Sequence, residues 1–107
     1  MDQAQKKPLS VQEIRKKYPN RIPIQINFKS SDIRLDKDKY LVPNTLTFSE
    51  FMIVIRKRIS GLAPEEALFL FVNGSLPAGS QLISTYAKNL KNEEILTCDL
   101  CKENTFG

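Results

Sequence analysis

The chain has 107 residues, of which 41% are apolar and 26% charged, with a net charge of +4. That length holds one domain with a core that needs neither metal nor disulfide support. No apolar run approaches the roughly 20 residues of a membrane span, no histidine is present, and no glycine-rich loop or carboxylate pair points to an enzyme.

The charge is unevenly spread. Residues 1–58 carry 13 Lys/Arg against 6 Asp/Glu, net +7, and residues 59–107 carry 3 against 6, net −3. A basic front half favours acidic peptides, anionic headgroups, acidic protein tails or nucleic acid as partners; a solvated mixed surface is the competing reading. Residues 1–7 lack the apolar stretch of a signal peptide. Asp2 excludes myristoylation, and Cys101 stands too far from the end for prenylation. The expected compartment is the cytosol or nucleus.

Residues 1–9 are polar, carry Pro8 and are expected to form a flexible arm. Ser10 and Glu13 make a capping box that opens a short helix running to about Lys17. Pro19 ends it, because proline disfavours helix in the residue before it. A helix this short must pack on the main domain, through Val11 and Ile14. Over residues 21–28, Ile22, Ile24, Ile26 and Phe28 alternate onto one face of a half-buried strand. Pro23 restricts the start of that strand to pairing on one side. Polar residues 29–38 lead to a short strand at residues 39–42, which stops at Pro43.

Thr47 and Glu50 form a second capping box. After it, Phe48, Phe51, Met52, Ile55 and Ile59 recur at helical spacing as one buried stripe. Arg56, Lys57 and Arg58 suit the helix C-terminus. Ile53 and Val54 lie off the stripe, so the helix either packs on two sides or offers a partner a groove. Gly61 is expected as a left-handed cap of this helix, residues 64–67 as one helical turn, and residues 68–72 as a buried strand. Asn73-Gly74 signals a hairpin. With Ser75 it also spells a glycosylation site, discounted without a secretory signal.

Residues 76–77 are expected as a stub of strand. Ser80 is expected to cap a short helix over residues 81–88, with Leu82, Ile83 and Tyr86 inward. A polar turn over residues 89–94 precedes a strand at residues 95–100 whose core face is Leu96, Cys98 and Leu100. The C-x-x-C at Cys98 and Cys101 offers too few ligands for structural zinc in a chain without histidine. Strand positions three apart face opposite sides, so Cys98 is expected in the core and Cys101 as a reduced surface thiol. No metal, no cofactor and no catalytic residue is expected.

Helix, strand, strand, helix, strand, stub, short helix, strand is an α+β order. It fits a β-grasp, the ubiquitin-like fold, with the last strand parallel to the first in mid-sheet. The expected organisation is a flexible arm at residues 1–9, a ubiquitin-like domain with a short N-terminal helical extension at residues 10–102, and a flexible tail at residues 103–107.

Residues 18–24 (YPNRIPI), 39–43 (KYLVP), 55–59 (IRKRI), 67–73 (ALFLFVN) and 103–107 (ENTFG) together resemble one family. It is the ubiquitin-like autophagy modifiers: the autophagy-eight proteins, including the GABA-receptor-associated proteins and microtubule-associated light chain three. The resemblance covers residues 10–107, in order and at nearly the family's spacing. The arm before Ser10 is shorter than usual and residues 29–38 make a slightly short connection. An acidic residue often stands near Ser10 and an aromatic at Ile95.

The resemblance implies conjugation through Gly107 to phosphatidylethanolamine, by an activating enzyme and carrier enzymes that recognise a tail with Phe106. A deconjugating cysteine protease reverses it. Gly107 is the last residue here, so either the gene encodes an exposed end or the chain was cut. Glycine suits this role because the backbone without Cβ can thread a narrow channel. The resemblance also implies capture of aromatic-x-x-aliphatic motifs of cargo receptors, added as a strand at residues 39–42. The aromatic pocket would comprise Ile14, Pro23, Lys39, Leu41 and Ile95. The aliphatic pocket would comprise Tyr40, Val42, Pro43, Leu46, Phe51 and Val54. Lys37, Lys39 and Arg58 would meet acidic flanks of the motif. The protein would be cytoplasmic, with a lipid-anchored pool on autophagosomal or other membranes; nucleic acid is not expected. The alternatives are a modifier attached to protein lysines and an unconjugated basic interaction module.

Overall fold

The computed structural model describes residues 9–91 and 94–102. The expected arm lies outside the described residues except for Leu9, which is exposed. Helix α1, Val11–Lys17, starts at the expected capping box. The Ser10 amide donates to the Glu13 carboxylate at 2.8 Å, and the Glu13 amide donates to Ser10 Oγ at 3.1 Å. Val11 and Ile14 are half-buried, and no α1 residue is fully buried. Strands β1 (Arg21–Phe28), β2 (Lys39–Pro43), β3 (Phe69–Phe71) and β4 (Leu96–Cys101) form one sheet in the order β2-β1-β4-β3. Helix α2 (Phe48–Arg58) follows β2, and a short α3 (Ile83–Ala87) precedes β4.

β1 and β4 run parallel in mid-sheet, and each has an antiparallel neighbour outside it. The chain is an α+β ubiquitin-like β-grasp. Its registers stack one apolar face: Ile22 beside Val42, Ile24 between Tyr40 and Leu96, Ile26 beside Cys98, and Leu100 beside Leu70. Phe51 and Ile55 of α2, both fully buried, join that core with Phe48 and Ile83. Pro23 pairs with Leu41 of β2, while pairing with β4 begins only at Ile24. The one-sided start of β1 expected from a residue without an N–H is therefore present.

Helix α2 shows where its orphan amides go. Glu50 N–H donates to Thr47 Oγ at 3.2 Å, and the Glu50 carboxylate accepts from the Thr47 amide at 2.9 Å. The amides of Phe48 and Ser49 donate to the carbonyls of Gln81 and Gly79, at 3.1 and 2.9 Å. A Cβ at Gly79 would collide with Ser49 Oγ, so glycine permits this close docking. Phe48 packs edge-to-face on Tyr86, with centroids 5.3 Å apart, and ties α2 to α3.

Several expectations are corrected. Gly61 is left-handed (φ +87°), yet it does not cap α2, whose C-cap is Ile59. It sits where the chain passes the Asp32 carbonyl, which a Cβ would strike. Residues 64–67 make a turn without a helix, closed by Glu66 N–H to the Ala63 carbonyl at 3.0 Å. No strand forms at residues 76–77, and Leu76 is exposed. Ser80 does not cap α3; the N-cap is Leu82, without a side-chain bond, and Leu82 points to solvent. Cys98 is in the core, where burial first and the Asp99 charge second push its thiol up to about 12. Cys101 faces the opposite side, as period-2 geometry requires, but it is buried. It stands beside Phe69 in a central strand, on the face that also carries Phe71, so that face is not open to water there.

The Asn73-Gly74 turn forms as expected, with both residues at positive φ between paired Val72 and Ser75. A Cβ at Gly74 would meet open space. Gly74→Ala should therefore cost about 1 kcal/mol, from backbone strain alone. Gly61→Ala adds a backbone collision and should cost clearly more. Urea denaturation of both variants checks the order, and equal costs would contradict the close approach at Asp32.

Candidate functional site

β2 pairs with β1 on one side and has no strand on its other side among the described residues. Its outward amides and carbonyls are a template for a further strand. Side chains along β2 point alternately to the two faces of the sheet, and each face carries a cleft. Beside α1, Lys39 and Leu41 stand with Ile14, Pro23 and Ile95 around a cleft of about 160 Å³. Beside α2, Tyr40 and Val42 stand with Pro43, Leu46, Phe51 and Val54 around a cleft of about 360 Å³.

The structure thus gathers all residues expected for the aromatic pocket in the first cleft, and all those expected for the aliphatic pocket in the second. Sequence reasoning missed Ile24 and Tyr40 as additional walls of the first cleft. Period-2 alternation assigns both to the core face, yet Ile24 lines the first cleft and Tyr40 lines both clefts. Leu41 likewise reaches the second cleft. Val42 and Phe51 are buried and form its floor, whereas Pro43 and Val54 are exposed at its rim. Lys37, Lys39 and Arg58, expected to meet acidic flanks of the motif, line the second cleft itself, and Lys39 also lines the first, where it was expected.

The Tyr40 ring meets Phe51 edge-to-face, with centroids 5.8 Å apart. Burial chiefly, with the Asp36 charge, holds the Tyr40 phenol above its ordinary range, against the opposing pull of Arg58. Its Oη is enclosed without a hydrogen-bond partner. Asp38 accepts from Gln25 Nε2 at 2.9 Å, and that bond keeps its carboxyl below the usual carboxylate range. Asp36 and Asp38 alternate with Lys37 and Lys39, so much of the cationic charge at this end is offset locally.

Phe106 and Gly107 lie outside the described residues, but the root of their tail is described. Lys102 Nζ lies 2.6 Å from Asp32 and 2.8 Å from Glu66. Its amide donates to Ser30 Oγ at 2.9 Å. The two carboxyl groups are pulled below their usual range by this lysine, Asp32 chiefly through the Lys102 bond and Glu66 first through the Ala63 amide. Among the described residues no group of three metal-ligating side chains occurs, and no helix is long and apolar enough to cross a membrane.

Residues 6–107 match the family described as Autophagy protein Atg8 ubiquitin like. The chain belongs to the Atg8 family. It is 44% identical over 106 residues to Autophagy-related protein 8 of Schizosaccharomyces pombe, which covers 96% of this chain and 87% of the relative. It is 45% identical over 106 residues to Autophagy-related protein 8 of Mycosarcoma maydis, covering 96% and 89%. To Autophagy-related protein 8e of Arabidopsis thaliana it is 42% identical over 106 residues, covering 96% and 86%. As an Atg8 protein it is a ubiquitin-like modifier of autophagy, within the autophagy conjugation system.

The enclosed hydroxyl of Tyr40 gives this Atg8 protein a measurable property. Tyr40→Phe removes a desolvated polar group that bonds to nothing, so stability should stay equal or rise by about 1 kcal/mol. The folded state holds the phenol proton more tightly than the unfolded state. The wild type should therefore lose stability as pH rises past about 10, and Tyr40→Phe should lose less. Denaturant titrations of both proteins at neutral and alkaline pH check the pair.

Proposed function

We propose that this Atg8 protein is conjugated through Gly107 to phosphatidylethanolamine on autophagosomal or related membranes, and that its β2 edge captures aromatic-x-x-aliphatic motifs of cargo receptors and adaptors. The supporting observation is the pair of clefts on opposite faces of one open strand edge. In an extended peptide, residues three apart point to opposite sides. A strand added at β2 would send its aromatic to one cleft and its aliphatic to the other. Backbone bonds would supply the docking, and the clefts would supply the selection.

Residues 10–102 act as the recognition body and residues 103–107 as the tail offered to the activating and carrier enzymes. Phe106 is the side chain those enzymes read, and the deconjugating cysteine protease cuts after Gly107. The protein is their substrate and performs no catalysis itself. It is cytoplasmic until conjugated, with the anchored pool held by the lipid. Ile95 in place of an aromatic makes the first cleft shallow, which favours a motif aromatic that lies flat against Leu41 and Pro23.

Tyr40→Ala combined with Leu41→Ala removes two walls that both clefts share. It should weaken a motif peptide by about 2 kcal/mol or more. Calorimetric titration with unchanged affinity and an intact fold would remove the pocket assignment.

Deleting Gly107 should abolish membrane association in cells that hold the conjugation enzymes, as fractionation against the wild type would show. Mass spectrometry of the conjugate then separates the lipid from the alternative. A branched peptide in place of a lipid adduct would mean attachment to protein lysines.

A further inference from the structure

β4 ends at Cys101, and Lys102 is where the chain leaves the sheet. On the β1 flank, ties continue past the strand ends. The Lys29 amide donates to the Leu100 carbonyl at 2.8 Å, and the Lys102 amide donates to Ser30 Oγ at 2.9 Å. The Lys102 side chain adds a tie to the other flank. Its ammonium donates to Asp32, which follows β1, and pairs with Glu66, which precedes β3. β1 and β3 are the two neighbours of β4. One charge therefore joins both flanks across the end of β4, where residues 103–107 begin.

The two acidic partners are themselves held. The Asp32 carbonyl lies against Gly61, and Ile33 beside it is fully buried. Glu66 Oε1 accepts from the Ala63 amide at 2.8 Å, leaving Oε2 for Lys102, and the Glu66 carbonyl accepts from Arg56 of α2 at 3.1 Å. An isolated surface ion pair contributes little, because two mobile side chains must be ordered to make it. Here the fold supplies much of that ordering, and the Lys102 side chain is only 17% exposed. Without the ammonium, the charges of Asp32 and Glu66 would repel each other across the end of β4. Neither cleft at the β2 edge uses these three residues.

We propose that Lys102 is a positioning residue for conjugation: its strap to Asp32 and Glu66 fixes the point and direction from which the tail leaves the body, and so sets where the Gly107 carbonyl arrives. The inference rests on the conjugation reading above. Residues 103–107 can span at most about 18 Å. An enzyme that grips the domain and receives so short a tail works with little slack. In the final transfer the acceptor amine forms its bond to the Gly107 carbonyl carbon as the carrier thiol leaves, and the amine's proton goes with the thiol. The reacting atoms must close to roughly 3–3.5 Å, and a misplacement of about 1 Å can cost about 100-fold. A root free to swing by one residue's length moves the far end by more than that. Lys102 touches none of the reacting atoms and acts only through the tail.

The test is single-turnover transfer of the full chain from its carrier-enzyme thioester to vesicles containing phosphatidylethanolamine. Lys102→Gln should lower the maximal rate about tenfold, with the concentration that half-saturates the activating enzyme and the affinity for a motif peptide unchanged. Lys102→Arg should keep the rate. Asp32→Asn with Glu66→Gln breaks the strap from its other side and should match Lys102→Gln. In that double variant, hydrogen exchange of the Lys102 amide should quicken about tenfold, a readout that needs no enzyme. Gly74→Ala, which strains the turn beyond the far end of β3, should leave the transfer rate unchanged. Undiminished transfer in both strap variants overturns the proposal, and so does unchanged amide exchange. A loss confined to Lys102→Gln overturns it as well, since the enzymes would then read the lysine itself. Equal slowing in Gly74→Ala would reduce the strap to a general effect on stability and also overturn it. A wild type that forms no lipid adduct beside competent enzymes would instead sink the conjugation reading, while amide exchange still reports on the strap.

Discussion

The parallel ladder between β1 and β4 is the constraint on which the other features depend. Parallel neighbours cannot be joined by a tight turn; they need a long crossover. Here the crossover contains β2, α2, β3 and α3, nearly all of the domain. With the centre taken by the first and last strands, β2 and β3 can lie only at the edges. The ladder also stacks Ile24, Ile26, Cys98 and Leu100 in adjoining registers, so chain ends far apart in sequence share one core. Because it begins at Ile24, the same ladder leaves the first three residues of β1 paired on one side. The open edge follows from this central pairing, and the gap beside the first three residues of β1 from where it starts.

Part of the floor and the far wall of the larger edge cleft come from α2, with Phe51, Val54 and Arg58, so the cleft is only as firm as the anchoring of that helix. Both ends of α2 are tied down. At its start, segment 79–81 accepts two amides that the helix cannot satisfy itself. Beyond its end, Ser60 exchanges backbone bonds with Arg34 at 2.8 and 3.0 Å. Phe51 is then fixed against the sheet, edge-to-face on Tyr40 of β2. A cleft built on such elements is pre-formed, and a ligand spends little of its binding energy on ordering it.

Much of this was legible in the sequence. Both capping boxes, the Ile22-Ile24-Ile26 face, the Asn73-Gly74 hairpin and the one-sided strand at Pro23 are local patterns, and each appears in the structure. The parallel pairing of the first and last strands in mid-sheet follows from the order of the elements, whereas the pocket residues came from family resemblance, and the structure brings those residues together. The misreadings share one cause, since they concern neighbours distant in the chain. Gly61 looked like a helix cap until the Asp32 carbonyl was beside it. Cys101 looked exposed because alternation gives the face but not what shields it. Ser80 carried a cap signal, yet the amides at α3's start are met by other means, with Ile83 N–H donating to the Leu46 carbonyl at 3.0 Å. The strap of Lys102, Asp32 and Glu66 had no sequence signal, as its members lie on three separate segments.

The open edge is only five residues long, with Lys39 at one end and Pro43 at the other. A charge and a missing donor at its limits discourage two copies of this chain from zipping together along it. The same brevity caps how many ladder bonds any visiting strand can form. Single encounters there would be short-lived, and a lasting grip would come from many copies held side by side on one surface, where each release is followed by rapid recapture.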